Sequence, residues 1–190
     1  PLNETIFDRL KEVGSNMIFA DSTGLELSGE RFLTVSILFK NLLEKEVKNQ
    51  NIGLLLPSTV AGAFINYSVL MMGKTLVNLN YTSEINSLKT AIESAQIKTI
   101  ITSKKFIEKL ENKGINLKEI LEMAEVIYVE DLKERISRPK GIFTYFSVKL
   151  MPSFLLKSIH LTKTLKESTV LTLFSSGSEG TPKGVELSSD

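Results

Sequence analysis

Between Leu173 and Ser188 the chain reads LFSSGSEGTPKGVELS, an apolar run that opens into clustered hydroxyls and glycines and closes on a lysine. Ser175, Ser176, Ser178 and Thr181 supply short rotatable donors, and Lys183 adds a compact positive charge that suits a phosphate. Gly177, Gly180 and Gly184 permit positive φ and close approach by a ligand, so successive amides can converge on an anion. These residue types in this order point to phosphate binding. The order differs from the strand-loop-helix phosphate loop, which places Gly before the lysine and Ser or Thr after it; here Pro182 precedes Lys183 and Gly184 follows. VELS reads as a strand, so the loop is expected to bridge two strands and to wrap phosphates without a helix behind it. The bland alternative is a Gly/Ser-rich turn between strands.

Other chemistries have little to work with. The 190 residues contain no cysteine and one histidine, which removes thiolate catalysis, disulfides and Cys/His metal sites together. His160 lies outside any recognisable motif and reads as an ordinary surface or core residue, and no metal-ligating set is assigned. Charges are nearly balanced, 23 basic against 22 acidic, so no global field argues for nucleic acid. The N-terminal PLNETIFDRLKEV mixes acid and base and is no signal peptide, and no apolar run is long enough to span a bilayer. Asn-X-Ser/Thr triplets at Asn3, Asn66 and Asn80 are read as chance or as turn-forming side chains.

The elements that must hold the loop alternate along the chain. MIFADSTGLEL reads as a hairpin around Asp21 to Gly24, and LTVSILFKNLLEKEV as a half-buried helix with Thr34 as its N-cap. NIGLLLP, TLVNLN, IKTIITS, VIYV and VLTLF are short apolar strands; VAGAFINYSVLMMG, SEINSLKTAIESA, KKFIEKLENKG and EDLKERI are the helices between them. Ser58 or Thr59 is expected to cap the first of these helices and Gly73 to end it. Apolar strands without polar alternation are covered on both faces, so the fold class is α/β, a mostly parallel sheet flanked by helices with an N-terminal β-hairpin. The loop after Phe174 then falls beyond the carboxyl ends of the strands, where such sheets take their ligands.

One interval breaks the alternation. From Ser137 to Lys166 the chain carries Arg138, Lys140, Lys149, Lys157, Lys163 and Lys166 with no acidic residue, around IFTYFSVKLMPSFLL. Two readings apply: a surface for anionic lipid or an acidic protein, or a core-packing helix broken at Pro152 with lysines at its wet edge. Its apolar residues do not fall on a clean stripe, which favours the second.

FSSGSEGTPKG resembles the signature loop of the adenylate-forming, AMP-binding enzyme superfamily: acyl-CoA synthetases, luciferases and peptide-synthetase adenylation domains. The segment from Asn51 to Ser103 is similar to what precedes that loop in the family, and the similarity extends back to about Met17. SGSEG, the NYT at Asn80 to Thr82 and VIYVEDLK look most like the synthetase part of bacterial acyl-acyl-carrier-protein synthetases joined to 2-acylglycerophosphoethanolamine acyltransferases.

The resemblance implies an ATP-dependent ligase using Mg²⁺ that makes acyl-AMP from a fatty acid and passes the acyl group to an acyl-carrier protein or CoA thiol. Ser175, Ser176, Gly177, Ser178, Gly180, Thr181 and Gly184 would embrace the β- and γ-phosphates, and Lys183 would act catalytically on the leaving pyrophosphate. Glu179 stands where the family more often has threonine and receives no phosphate contact.

It further implies a partial N-terminal AMP-binding domain, with an α/β core over 17–136, a basic connecting segment over 137–167 and the strand, loop and next strand over 168–190. The adenine-stacking, ribose, Mg²⁺ and hinge elements would lie downstream. The 190 residues alone are therefore expected to be inactive, to bind ATP weakly and to self-associate through uncovered edges. The implied location is cytoplasmic, with peripheral contact at the inner membrane through 137–166. Rival readings are a non-catalytic membrane or carrier-protein docking module, and another acyl-CoA or amino-acid adenylating enzyme. An acyltransferase is disfavoured, because no His-x₄-Asp pair surrounds His160.

Overall fold

The computed structural model describes residues 1–22, 24–164, 167–174 and 184–189. Helix α1 (Leu2–Val13) leads into a hairpin of β1 (Met17–Ala20) and β2 (Glu26–Ser28), then helix α2 (Gly29–Glu46). The alternation follows: β3 (Asn51–Leu55), α3 (Val60–Met71), β4 (Thr75–Asn78), α4 (Ile85–Ser94), β5 (Thr99–Thr102), α5 (Lys104–Glu111), α6 (Lys118–Leu121), β6 (Glu125–Tyr128) and α7 (Val129–Glu134). Helices α8 (Arg138–Leu150) and α9 (Ser153–His160) precede β7 (Thr169–Phe174) and β8 (Gly184–Ser188).

Six strands form one sheet in the order β6-β5-β3-β4-β7-β8, parallel throughout except for the antiparallel β7/β8 pair. The α/β class with a mostly parallel sheet is the one expected from the uninterrupted apolar runs. Strand β3 sits at the centre because Ile52, Gly53, Leu54 and Leu55 are all buried, as two-sided cover demands. One apolar cluster, built mainly on α1, α2 and α3, covers one face; a second, with Leu88, Ile92, Phe106 and Ile120 from α4, α5 and α6, covers the other.

Local signals behave as their chemistry requires in most places. Thr59 accepts a bond from the Gly62 amide at 3.2 Å and caps α3, while Gly73 at φ 67° leads the chain out of it. Asn80 does serve a turn: its Oδ1 accepts from the Thr82 hydroxyl at 2.7 Å and the Thr82 amide at 3.1 Å. The N-cap assigned to Thr34 is wrong. Helix α2 starts at Gly29 under Ser28, whose Oγ accepts from the Arg31 amide at 3.3 Å, and Thr34 lies inside the helix with its hydroxyl donating to the Glu30 carbonyl. The residues of β2 run straight into the helix, so the apolar periodicity began too late to mark its start.

Helix α1 was not foreseen by the sequence reading. It has no side-chain cap and holds its place by burying Phe7 and Leu10 in the first cluster. Its C-terminal end meets the start of α2 backbone to backbone, with the Glu30 amide donating to the Gly14 carbonyl at 2.9 Å. Asp8 accepts from Ser153 Oγ at 2.7 Å and Lys157 Nζ at 2.8 Å, and Lys11 Nζ reaches the Val148 and Met151 carbonyls at the α8–α9 junction. Burial pushes the Asp8 carboxyl up, but the Lys157 and Ser153 bonds outweigh it and hold it below the usual range.

The core-packing reading of 137–166 also needs correction. The helix pair does break at Pro152, yet Thr144 and Val148 of α8 and Leu156 of α9 are the side chains it buries. Phe143, Leu150 and Phe154 remain 75%, 76% and 73% exposed. An apolar residue count does not say which way a face turns.

A Cβ at Gly29 would lie 2.4 Å from the Leu10 carbonyl oxygen. Gly29→Ala is expected to lower stability by about 2 kcal/mol, read as a lower urea midpoint, because backbone must shift to relieve the overlap.

His160 is half-buried, and burial first, then the Lys40 charge, push its pKa below the ordinary 6.5, with Glu44 pulling the other way. A depressed folded pKa gives stability that is complete above the unfolded value and is lost as pH falls through the folded one. Relative to His160→Gln, the wild-type melting temperature should therefore fall as pH is lowered from about 7.5 to about 5.5.

Candidate functional site

The crossovers from β3 to β4 and from β4 to β5 lie on opposite faces of the sheet, since α3 packs in one cluster and α4 in the other. That reversal opens a crevice at the carboxyl ends of β3 and β4. A cleft of about 630 Å³ occupies it, walled by Pro57 to Val60 after β3, by Asn78 to Tyr81 after β4, and by Leu173 and Phe174 at the end of β7. Phe19, Ala20 and Asp21 of the hairpin close one side.

Packing behind the wall holds these residues. The Phe19 ring stacks on Phe32 of α2 at 4.0 Å between centroids, and Phe32 meets Phe64 edge-on at 6.5 Å. Asp21 Oδ2 accepts from the Val60 amide at 2.7 Å, which pins the hairpin to the first turn of α3. A carboxylate there is favoured by the helix dipole, and it takes up an amide that an external anion would otherwise use. On the β4 side, the Tyr81 ring packs edge-on against Phe106 of α5 at 5.0 Å.

Asn66 of α3 lines the cleft, and its Oδ1 is buried with no hydrogen-bond partner among the described residues. A buried acceptor without a partner is costly for folding alone and marks a place where a donor would be welcome. Among the described residues no three His, Asp or Glu side chains converge to hold a metal, so no residue is assigned to Mg²⁺.

Ser175, Ser176, Gly177, Ser178, Gly180, Thr181 and Lys183 lie outside the described residues. The ends of their segment are described. Phe174, in the cleft wall, pairs with Gly184 across the antiparallel ladder, so the residues on either side of the segment are strands, as expected. A Cβ at Gly184 would come 3.3 Å from the Phe174 ring, so this glycine lets the ring lie close to the backbone at the hairpin base. The sequence reading missed Asp21, Thr59, Asn66 and Asn78 as cleft residues. Polar residues directly after apolar strands, the PST after β3 and the N-L-N-Y around the end of β4, were the available signal.

Fold and cleft together define an open α/β protein with a cleft beyond the carboxyl ends of a mostly parallel sheet. The chain belongs to the AMP-binding enzyme family, which it matches over residues 39–190. It has the fold of the N-terminal part of adenylate-forming enzymes. The complex of VinN with 3-methylaspartate superposes with a TM-score of 0.69 at 16% identity, covering 99% of this chain and 47% of that one. Mycobacterium tuberculosis fatty acyl CoA synthetase gives a TM-score of 0.68 at 12% identity over 98% of this chain and 34% of that one. The Klebsiella oxytoca NpsA N-terminal subdomain gives 0.67 at 11%, over 98% and 41%. The chain thus spans less than half the length of each.

Asn66→Leu removes the partnerless acceptor at similar volume. It is expected to leave stability unchanged or raise it by up to about 1 kcal/mol in urea unfolding, where an ordinary polar core substitution would lower it.

Proposed function

We propose that the chain is part of an ATP-dependent ligase that activates a fatty acid and hands it to an acyl-carrier protein or CoA thiol. The observation that supports this reading is that β7 ends in the wall of the switch-point cleft at Leu173 and Phe174, the residues directly before the Ser/Gly/Thr/Lys segment in the sequence. In the first step a carboxylate oxygen attacks the α-phosphorus of ATP, forming the acyl adenylate and breaking the bond to pyrophosphate. Negative charge accumulates on the departing β- and γ-phosphates. The hydroxyls and amides of Ser175, Ser176, Gly177, Ser178, Gly180 and Thr181 and the Lys183 ammonium are the groups this chain offers to stabilise that charge. In the second step a thiol sulfur attacks the acyl carbon, giving a thioester and AMP.

The fatty-acid assignment is supported by SGSEG, Asn80 to Thr82 and VIYVEDLK, and by the structural likeness to a fatty acyl CoA synthetase. A second reading, activation of an amino acid, is favoured by the equally close fold of VinN, seen with 3-methylaspartate and with L-aspartate.

The test is ATP–pyrophosphate exchange by the product of the whole reading frame, with a panel of fatty acids and amino acids. Exchange should depend on fatty acid, and Lys183→Ala should lower it by about 100-fold, the scale on which a single charge-stabilising donor acts. Exchange driven by amino acids alone would replace the fatty-acid reading by the second. An unchanged rate in the Lys183 variant would remove the catalytic role of that lysine.

A further inference from the structure

Helices α8 and α9 carry a feature that the adenylation reading does not use. Seven of the thirteen large apolar side chains exposed among the described residues lie between Ile142 and Ile159. On α8 they are Ile142, Phe143, Phe146 and Leu150, a spacing of one, four and eight residues that gathers them on one side of a helix. On α9, Phe154, Leu155 and Ile159 repeat the arrangement after a break of only Met151 and Pro152.

This exposure is not that of a loosened core. The opposite sides of both helices are fixed: Val148 and Leu156 are fully buried, Lys11 holds the carbonyls at the α8–α9 junction, and Asp8 holds Ser153 and Lys157. The apolar side chains therefore stand outward on a rigid base. Basic groups accompany them. Arg138, Lys149 and Lys163 are exposed without a carboxylate partner among the described residues, and no Asp or Glu occurs from Ser137 to Thr164.

From this geometry we infer that α8 and α9 form a docking face for an anionic lipid bilayer, inserting their phenylalanines at the level of the headgroups. Charge complementarity selects the occupant: the helix pair carries no acid of its own, Asp8 of α1 neutralises only Lys157, and the cations left over match a negatively charged leaflet. The apolar groups protrude, which suits a fluid interface that closes around them. Among the described residues no helix is long and apolar enough to cross a membrane, so the contact is peripheral. Apolar insertion and basic attraction supply two signals, the number that durable peripheral binding requires. The inference stands independently of the adenylation reading.

The 190-residue chain is tested by co-sedimentation with vesicles of phosphatidylcholine alone and of phosphatidylcholine with phosphatidylglycerol. Binding should be at least about tenfold stronger to the anionic vesicles and should weaken as salt rises from about 0.05 M to about 0.5 M. Joint replacement Phe143→Ser, Phe146→Ser and Phe154→Ser should lower it by at least about tenfold, because the apolar area entering the interface is lost. The chain contains no tryptophan, so Phe154→Trp provides a single indole whose emission should shift to the blue on adding anionic vesicles. That milder variant decides the matter if the triple one does not fold. Absence of binding to anionic vesicles, binding indifferent to the substitutions, or an unshifted indole emission would overturn the inference. So would a dimer that the triple substitution dissociates while lipid binding is unchanged, since a second copy would then be the occupant.

Discussion

Parallel pairing of β3 with β4 is the constraint on which the rest of the molecule depends. Parallel neighbours cannot be joined by a tight turn, so the chain returns through α3 on one face; it then leaves β4 through α4 on the other. The two crossovers part at the carboxyl ends of these strands, and among the described residues no element fills the space between them. The cleft is a consequence of how the chain is wound. The buried run of β3 makes this winding obligatory, because a strand apolar on both sides must be covered on both.

Around that opening the structure fixes three walls by different means. The hairpin is held by the Phe19–Phe32 stack and by the Asp21 carboxylate on the first turn of α3. The β4 wall is stiffened by the Asn80 turn and the Tyr81–Phe106 contact. The third wall is the end of β7, from which the Ser/Gly-rich segment departs and to which it returns through β8. The Val60 amide is already bonded to Asp21 and is not left open to an external anion.

The side of the sheet carrying α1, α2, α8 and α9 shows a second division of labour. Helix α1 turns Phe7 and Leu10 to the core and Asp8 and Lys11 to α8 and α9, fastening a helix pair whose outer side is apolar. Strand β8, at the sheet edge, is exposed along its whole length. These two uncovered surfaces are chemically unlike: one offers apolar side chains amid positive charge, the other an unpaired strand edge.

The sequence alone determined the α/β class, the alternation of strands and helices along the chain, the hairpin at Asp21 and the position of the phosphate-type segment between two strands. Each is written in near-neighbour chemistry: apolar runs, caps and turn residues act within a few positions. Thr59 and Gly73 punctuate α3 for that reason. Only the tertiary structure decided what depends on contacts distant in the chain. Phe7 and Leu10 find their partners far along the sequence and carry α1, a helix with no side-chain cap; Ser28 displaces Thr34 because β2 feeds α2 without a break. The facing of Phe143 and Phe154 toward solvent was likewise invisible, since an isolated helix has apolar residues but no inside. That side is assigned when α1 and α2 claim the opposite one, and burial belongs to the assembled fold.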